Sequence, residues 1–234
     1  MANLYGPRIV TDGLVLHLDA ANTKSYPGSG TTITDLSNNG RNGSMINGAA
    51  HSSASGGRIN TDGTDDRIDI VYASTNFINT SFTWVLWFIG TPNNNGPMPI
   101  FGYGSGSWPR LGIRLDNNGW MFSQYGTTGT GNRDVRFNTT DANASTNWHC
   151  FAVTADYANT TITTYKNGIL ANTSVGWRDS TGNSGNLGLG RAGSTSWPNA
   201  VLNGSVGPFM VYNKALSAIE ILQNYNATKG RFGL

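Results

Sequence analysis

Residues 82–89 read FTWVLWFI. The run has the length of a strand, far short of the roughly 20 apolar residues that a membrane-spanning helix needs. Successive side chains of a strand point to opposite faces, so Phe82, Trp84, Leu86 and Phe88 share one face while Val85 and Trp87 lie on the other. Both faces are apolar, and a strand of this kind has to be covered on both sides. One cover is the facing layer of a sandwich; the other is a further layer of the same chain or a contact with another copy.

Outward from this run, short alternating segments recur: GLVLHLD (13–19), RLGIRLD (110–116), GWMFSQY (119–125), RDVRFN (133–138), WHCFAVTA (148–155), TITTYKNG (161–168), ILANTSV (169–175) and VGPFMVY (206–212). Asn and Gly separate them, with 31 Gly and 28 Asn in 234 residues and a single glutamate, Glu220, so the chain is rich in turn formers and poor in helix formers. Asn118-Gly119 and Asn167-Gly168 are pairs that favour the type I′ turn of an antiparallel hairpin. One segment, ALSAIEILQNYNA, departs from the pattern by placing Ala218, Leu222 and Tyr225 at helical spacing. Ser217 and Glu220 there form a capping box, flanked by a hydrophobic staple of Leu216 and Ile221. These features predict an all-β, two-sheet antiparallel sandwich with one short C-terminal helix at about 217–227, built as a single domain over 13–234 behind an N-terminal arm, 1–12.

Composition narrows the function. The net charge is +2 with basic residues scattered along the chain, which offers no nucleic-acid footprint. The lone Cys150 excludes an intrachain disulfide, and MANLYGPRIV lacks the charged and apolar regions of a secretory leader, so folding in a reducing cytoplasm is expected. Glycine-rich stretches such as GYGSGSW lack the lysine and following helix of a phosphate-binding loop.

Four groups of residues invite a chemical role. His17 and Asp19 share a face of GLVLHLD, behind Leu14, Leu16 and Leu18, and the bland account of a strand with one polar face outweighs a base pair or metal site. His149 and Cys150 are adjacent and so point to opposite faces, which leaves Cys150 as a small buried residue beside Trp148 and Ala152. Asp62, Asp65, Asp66 and Asp69 in DGTDDRID are oxygen ligands of the kind Ca²⁺ takes, but a turn whose aspartates accept backbone hydrogen bonds is favoured over calcium, and no other cofactor is implied. Trp108 and Trp197 each precede a proline in a Gly/Ser loop, where an indole can stack on a sugar ring or insert into a partner, with Arg110 and Asn199 as neighbouring donors, or can equally anchor its own loop to the domain. A glycosidase would need two carboxylates, and with Glu220 engaged in a helix cap both would be aspartates, so an enzyme is not expected.

The ordered pieces GLVLHLDAAN, DLSNNGRNGS, NTDGTDDRIDI, SFTWVLWF, NWHCFAVTAD, ITTYKNGILA, NLGLGR and VYNKALSAIEILQNYNA resemble the laminin G-like, or concanavalin A-like, jelly-roll superfamily. The resemblance implies two antiparallel sheets packed face to face with the C-terminal helix outside. Where many relatives carry acidic residues in the penultimate strand, this chain has NGSVGPFMVY, which counts against an inherited calcium site. More narrowly, GPRIVTDGLVLHLDAANTKSYPGSGTTITDLSNNG (6–40) with the ending VYNKALSAIEILQNYNATKGRFGL (211–234) resembles domains of tailed-phage virion proteins, marine and cyanobacterial phages especially. That implies a non-enzymatic structural module on the virion surface, assembled in the host cytoplasm, as capsid decoration, fibre or tail-associated protein. Its expected partners are other virion proteins, further copies of itself and, as the alternative function, host-surface glycans. Tyr5 and Ile9 of the arm are then candidates for docking to a neighbour.

Overall fold

The computed structural model describes residues 7–72, 77, 79–92, 98–105, 108–116, 119–124, 133–137, 146–176, 186–191 and 201–234. Among the described residues sixteen strands follow in order: β1 (Leu14–Leu18), β2 (Thr32–Ile33), β3 (Gly43–Ile46), β4 (Ala50–Ser52), β5 (Arg58–Asp62), β6 (Arg67–Ile70), β7 (Phe82–Pro92), β8 (Met98–Ser105), β9 (Trp108–Asp116), β10 (Gly119–Gln124), β11 (Arg133–Arg136), β12 (His149–Asp156), β13 (Thr161–Lys166), β14 (Ile169–Val175), β15 (Leu187–Leu189) and β16 (Leu202–Tyr212). Helix α1 (Ala218–Thr228) runs into a 3₁₀ turn, Lys229–Phe232. The strands form two eight-stranded sheets. The first has the order β14-β13-β12-β7-β16-β5-β4 with β1 also on β16, and the second has the order β11-β10-β9-β8-β15-β6-β3-β2. All pairings are antiparallel, giving the expected jelly-roll sandwich with its C-terminal helix.

Strand β7 is buried on both faces, as its sequence requires. Phe82, Trp84, Leu86 and Phe88 enter the core between the sheets, while Val85 and Trp87 belong to a second cluster on the outer face of the first sheet. The cover over that face is the chain's own two ends. Val10, Leu216 and Ile221 are buried in the outer cluster, with Ile9, Tyr225 and Phe232 packed at its margin. Trp87 stacks on Phe232 at 4.3 Å and on Tyr225 at 5.6 Å, and its Nε1 donates to Thr228 Oγ1 at 2.9 Å. A Cβ on Gly207 would lie 2.9 Å from Trp87 Cβ and 3.0 Å from Phe232 Cζ, so glycine leaves the slot that the Phe232 ring occupies.

The polar groups of this third layer are paired among themselves. The Val10 N–H donates to Asn224 Oδ1 (2.8 Å), Asn224 Nδ2 donates to the Tyr212 hydroxyl (3.1 Å), and that hydroxyl donates to the Val10 carbonyl (3.0 Å). Leu216 N–H donates to Thr83 Oγ1 and Thr83 Oγ1 donates to the Lys214 carbonyl, both at 2.8 Å. The capping box forms as predicted, with Ser217 N–H donating to Glu220 Oε2 at 2.8 Å and Glu220 N–H to Ser217 Oγ at 3.3 Å.

Local readings shift in three places. The buried stripe of α1 is Ile221 and Asn224 with Tyr225 and Thr228 half-buried, whereas Ala218 and Leu222 are exposed; the polar Asn224 and Thr228 conceal the stripe from a count of apolar residues. A register shift between Leu14 and Leu16 in β1 turns Leu14 to the outer cluster, away from Leu16 and Leu18 in the core. The β13–β14 hairpin turns at Asn167 (φ 52°) and Gly168 (φ 78°), as expected. In β9–β10, however, Gly119 pairs with Asp116 and so is a strand residue rather than a central turn residue.

Replacing Asn224 with Ala leaves the buried Val10 N–H without its acceptor, at a cost of about 1–3 kcal/mol. Urea unfolding is expected to show a lower midpoint with an unchanged slope.

Candidate functional site

His17 and Asp19 resolve as structural residues. Both are half-buried beneath the C-terminal turn, where Arg231 Nη1 donates to the two Asp19 carboxylate oxygens at 2.7 and 3.0 Å. Burial holds His17 below its ordinary value of 6.5, although the carboxylates of Asp19 and Asp35 pull the other way. Cys150 sits with Trp148 and Ala152 in the outer cluster, and burial pushes its thiol far above the ordinary range, so it remains an unreactive thiol at neutral pH.

Two polar arrangements remain. The first is the loop that carries the chain from β5 in the first sheet to β6 in the second. The carboxylates of Asp62, Asp65 and Asp66 each offer an oxygen within 4.8 Å of the others, with Asp62 and Asp65 exposed and Asp66 buried. Thr64 N–H donates to Asp62 Oδ1 (2.7 Å) and Asp62 N–H to Asp66 Oδ2 (3.1 Å), the local backbone donors the turn reading expects, while Asp65 Oδ2 accepts from the Asn47 side chain at Nδ2 (2.9 Å), 18 residues away. Asp69 stands apart, paired with Arg67 at 3.0 Å. Burial raises the Asp66 carboxyl, and the neighbouring Asp62 and Asp65 charges add to the rise; the Thr64 N–H lowers Asp62. Three hard oxygens this close are compatible with Ca²⁺.

The second arrangement lies on the outer face of the second sheet. The register places one residue per strand in a continuous row, Thr32, Ser44, Asp69, Gly188, Gly102, Gly112, Ser123 and Asp134. Flanking residues such as Ile68, Leu187, Phe101, Ile113 and Phe122 enter the core, so this row faces away from it. Along this strip Thr32, Ser44 and Asp134 are exposed and Asp69 is half-buried, whereas Gly188, Gly102, Gly112 and Ser123 are buried. Added Cβ atoms on Gly102 and Gly112 would lie 2.4 Å from the Leu111 carbonyl oxygen and 2.5 Å from that of Phe101, so close strand approach demands glycine there.

Charged groups stand on either side of the strip. Asp69 and Arg67 lie on one flank; on the other, Arg114 Nε donates to Ser123 Oγ (2.5 Å), Ser123 Oγ to Asp134 Oδ1 (2.6 Å) and Arg114 Nη2 to Asp134 Oδ2 (3.0 Å). The Arg114 side chain is 9% exposed and that of Asp134 38%, so the carboxylate is the accessible end of the trio. The sequence offered one signal for it: Arg114 interrupts the apolar pair Ile113 and Leu115 at an alternate position of a strand.

Of the residues singled out from sequence, Trp108 and Arg110 lie in β9, described here by backbone alone; Trp108 faces Ser105 at the end of the β8–β9 hairpin. Tyr5, Trp197 and Asn199 lie outside the described residues. Ile9 is half-buried against the outer cluster of its own sheet.

The chain belongs to the concanavalin A-like lectin/glucanases superfamily, whose family model matches residues 62–222. No curated protein matches it in sequence. Among solved structures it is similar to the binding domain of Paraclostridial Mosquitocidal Protein 1 (TM-score 0.71, 18% identity, 93% of this chain and 52% of that one). It is also similar to domain 4 of AbnA, a GH43 extracellular arabinanase from Geobacillus stearothermophilus, in complex with arabinotriose (TM-score 0.65, 16% identity, 91% of this chain and 98% of that one). A third likeness is to Trypanosoma rangeli sialidase in complex with sialic acid (TM-score 0.67, 17% identity, 94% of this chain and 33% of that one). The chain thus spans half of the toxin domain and a third of the sialidase, but nearly all of the arabinanase domain.

Two outcomes follow from the titrating groups. The folded-state value of His17 is depressed, so its contribution is fully present above about pH 6.5 and is lost as pH falls through the folded value. A His17→Gln variant is therefore expected to lose less stability than the native chain on acidification below that point, in urea unfolding at a series of pH values. Asp66→Asn removes a buried charge beside two others while keeping an acceptor for Asp62 N–H, so its thermal midpoint at pH 7 is expected to be equal to or above that of the native chain.

Proposed function

We propose that the protein is a non-enzymatic carbohydrate-binding module. The observation that carries this reading is its near end-to-end correspondence with domain 4 of the arabinanase, a domain solved with arabinotriose. The binding domain of botulinum neurotoxin DC, solved in complex with SialylT, is similar over 93% of this chain and supports the same reading. On the outer face of the second sheet, the exposed carboxylate of Asp134 and the half-buried pair of Asp69 and Arg67 suit hydroxyls that both donate and accept. Trp108 and Trp197 are the candidate stacking residues of this reading, and Arg110 and Asn199 its candidate donors, on their sequence setting beside a proline in Gly/Ser-rich stretches.

Binding without catalysis is favoured by the placement of the acids. Glu220 holds the helix cap and accepts from Lys214 Nζ at 2.9 Å, and Asp19 is bound to Arg231. As its setting we propose the surface of a tailed-phage virion, on the resemblance of both ends of the chain to such proteins, with host-surface glycans and other virion proteins as partners.

On a glycan array that includes arabinan oligosaccharides and sialylated glycans, the protein is expected to retain at least one class. The Trp108→Ala, Trp197→Ala double variant is expected to weaken that binding about tenfold or more by calorimetry. An array without signal, or binding unchanged in the double variant, would contradict the reading.

A further inference from the structure

Partial burial of a guanidinium calls for acceptors, and three half-buried arginines of this chain have them. Arg67 pairs with Asp69 at 3.0 Å, Arg231 pairs with Asp19 at 2.7 Å, and Arg41 donates to the Val15 carbonyl with its guanidinium 4.3 Å from the centre of the Tyr72 ring. Arg58, also half-buried, has neither a hydrogen bond nor an ion pair among the described residues. Its Nε is sealed from solvent without an acceptor, while its two terminal nitrogens, equally without acceptors, are not sealed.

Strand register fixes where Arg58 stands. Ile59 enters the core, so Arg58 and Asn60 share the outer face of the first sheet. Arg58 pairs with Ser52 of β4, and because Ile59 pairs with Val206, Gly207 of β16 lies on its other side. The slot over Gly207 holds the Phe232 ring, and Arg231 Nη2 donates to the carbonyl of Gly57, the residue before Arg58, at 3.3 Å. A second guanidinium thus reaches the same margin of the terminal layer, and the Arg231 Nε is likewise sealed without an acceptor.

The charge of Arg58 is not offset within the chain. Asp19 is engaged by Arg231, and the next carboxylate along β5, Asp62, stands four residues on, about 13 Å away. Asn60 adds a neutral donor: its Oδ1 accepts from Ser205 Oγ at 2.8 Å, and its Nδ2 is uncommitted among the described residues.

We propose that Arg58 seats an oxyanion, either a free ion or the acidic group of a sugar. The terminal nitrogens of Arg58 present a planar fork that matches two oxygens of a carboxylate or sulfate. Asn60, on the same face, supplies a further donor, and Arg231, fixed by Asp19 and Gly57, adds positive potential. The site lies on the first sheet, away from the Asp134 face of the second, and does not rest on the carbohydrate-binding reading.

The arginine Nε–H resonances of the full chain test this, followed by NMR while sodium sulfate or sodium glucuronate replaces sodium chloride at constant ionic strength. A saturable shift is expected at Arg58 with at least one of the two anions, at a Kd of about 10 mM or lower, with no response to glucose and no saturable shift at exposed Arg8. Arg58→Gln is expected to weaken binding at least roughly tenfold, read on the backbone amides of Asn60 and Arg231, with the remainder of the spectrum unchanged. Tighter binding of glucuronate than of sulfate identifies the sugar-borne group as the occupant, and the reverse order a free ion. The absence of a saturable shift at Arg58 with both anions, an equal shift at Arg8, or unchanged affinity in Arg58→Gln would overturn the proposal.

Discussion

The double burial of β7 is the constraint on which the rest of the structure depends. A strand that presents Trp84 and Phe88 to one side and Val85 and Trp87 to the other cannot lie on the surface of a simple two-layer sandwich. The chain meets this requirement with its own ends, which converge on the outer face of the first sheet and complete an aromatic layer around Trp87 and Phe232. The polar atoms that such a cover must bury are satisfied in a closed set joining Val10, Asn224 and Tyr212, so the layer adds apolar contact without leaving those donors unpaired.

The sequence revealed the layers more readily than the contacts between them. Period-two alternation located the strands, and the capping box located the start of α1, because both signals are local. The doubly apolar β7 announced a third layer but not its identity, since the covering helix uses Asn224 and Thr228 at positions where a search for apolar spacing finds nothing. Leu14 changed face through a register shift that no local pattern encodes. The acids of DGTDDRID drew notice as a group, and the turn between β5 and β6 does bring three of them together. The row across the second sheet was not legible. It assembles residues from Thr32 to Asp134 through the register of eight strands, and register between distant strands is a property of the fold rather than of any segment.

The polar residues divide by role along the same lines. Asp19, Asp35, Glu220 and Asn224 hold loops and termini in place, each with named backbone or side-chain partners. Asp62, Asp65 and Asp134 keep exposed carboxylates at turns or sheet margins, where a ligand can reach them.

Native-state hydrogen exchange tests the central claim, that the terminal layer is integral to the sandwich rather than an appendage. If it is integral, the amides of Val10, Leu216 and α1 residues 221–228 exchange with the same opening free energy as those of β7 and β12, through global unfolding. Exchange of those terminal amides by local opening, with β7 and β12 still protected, would contradict the account.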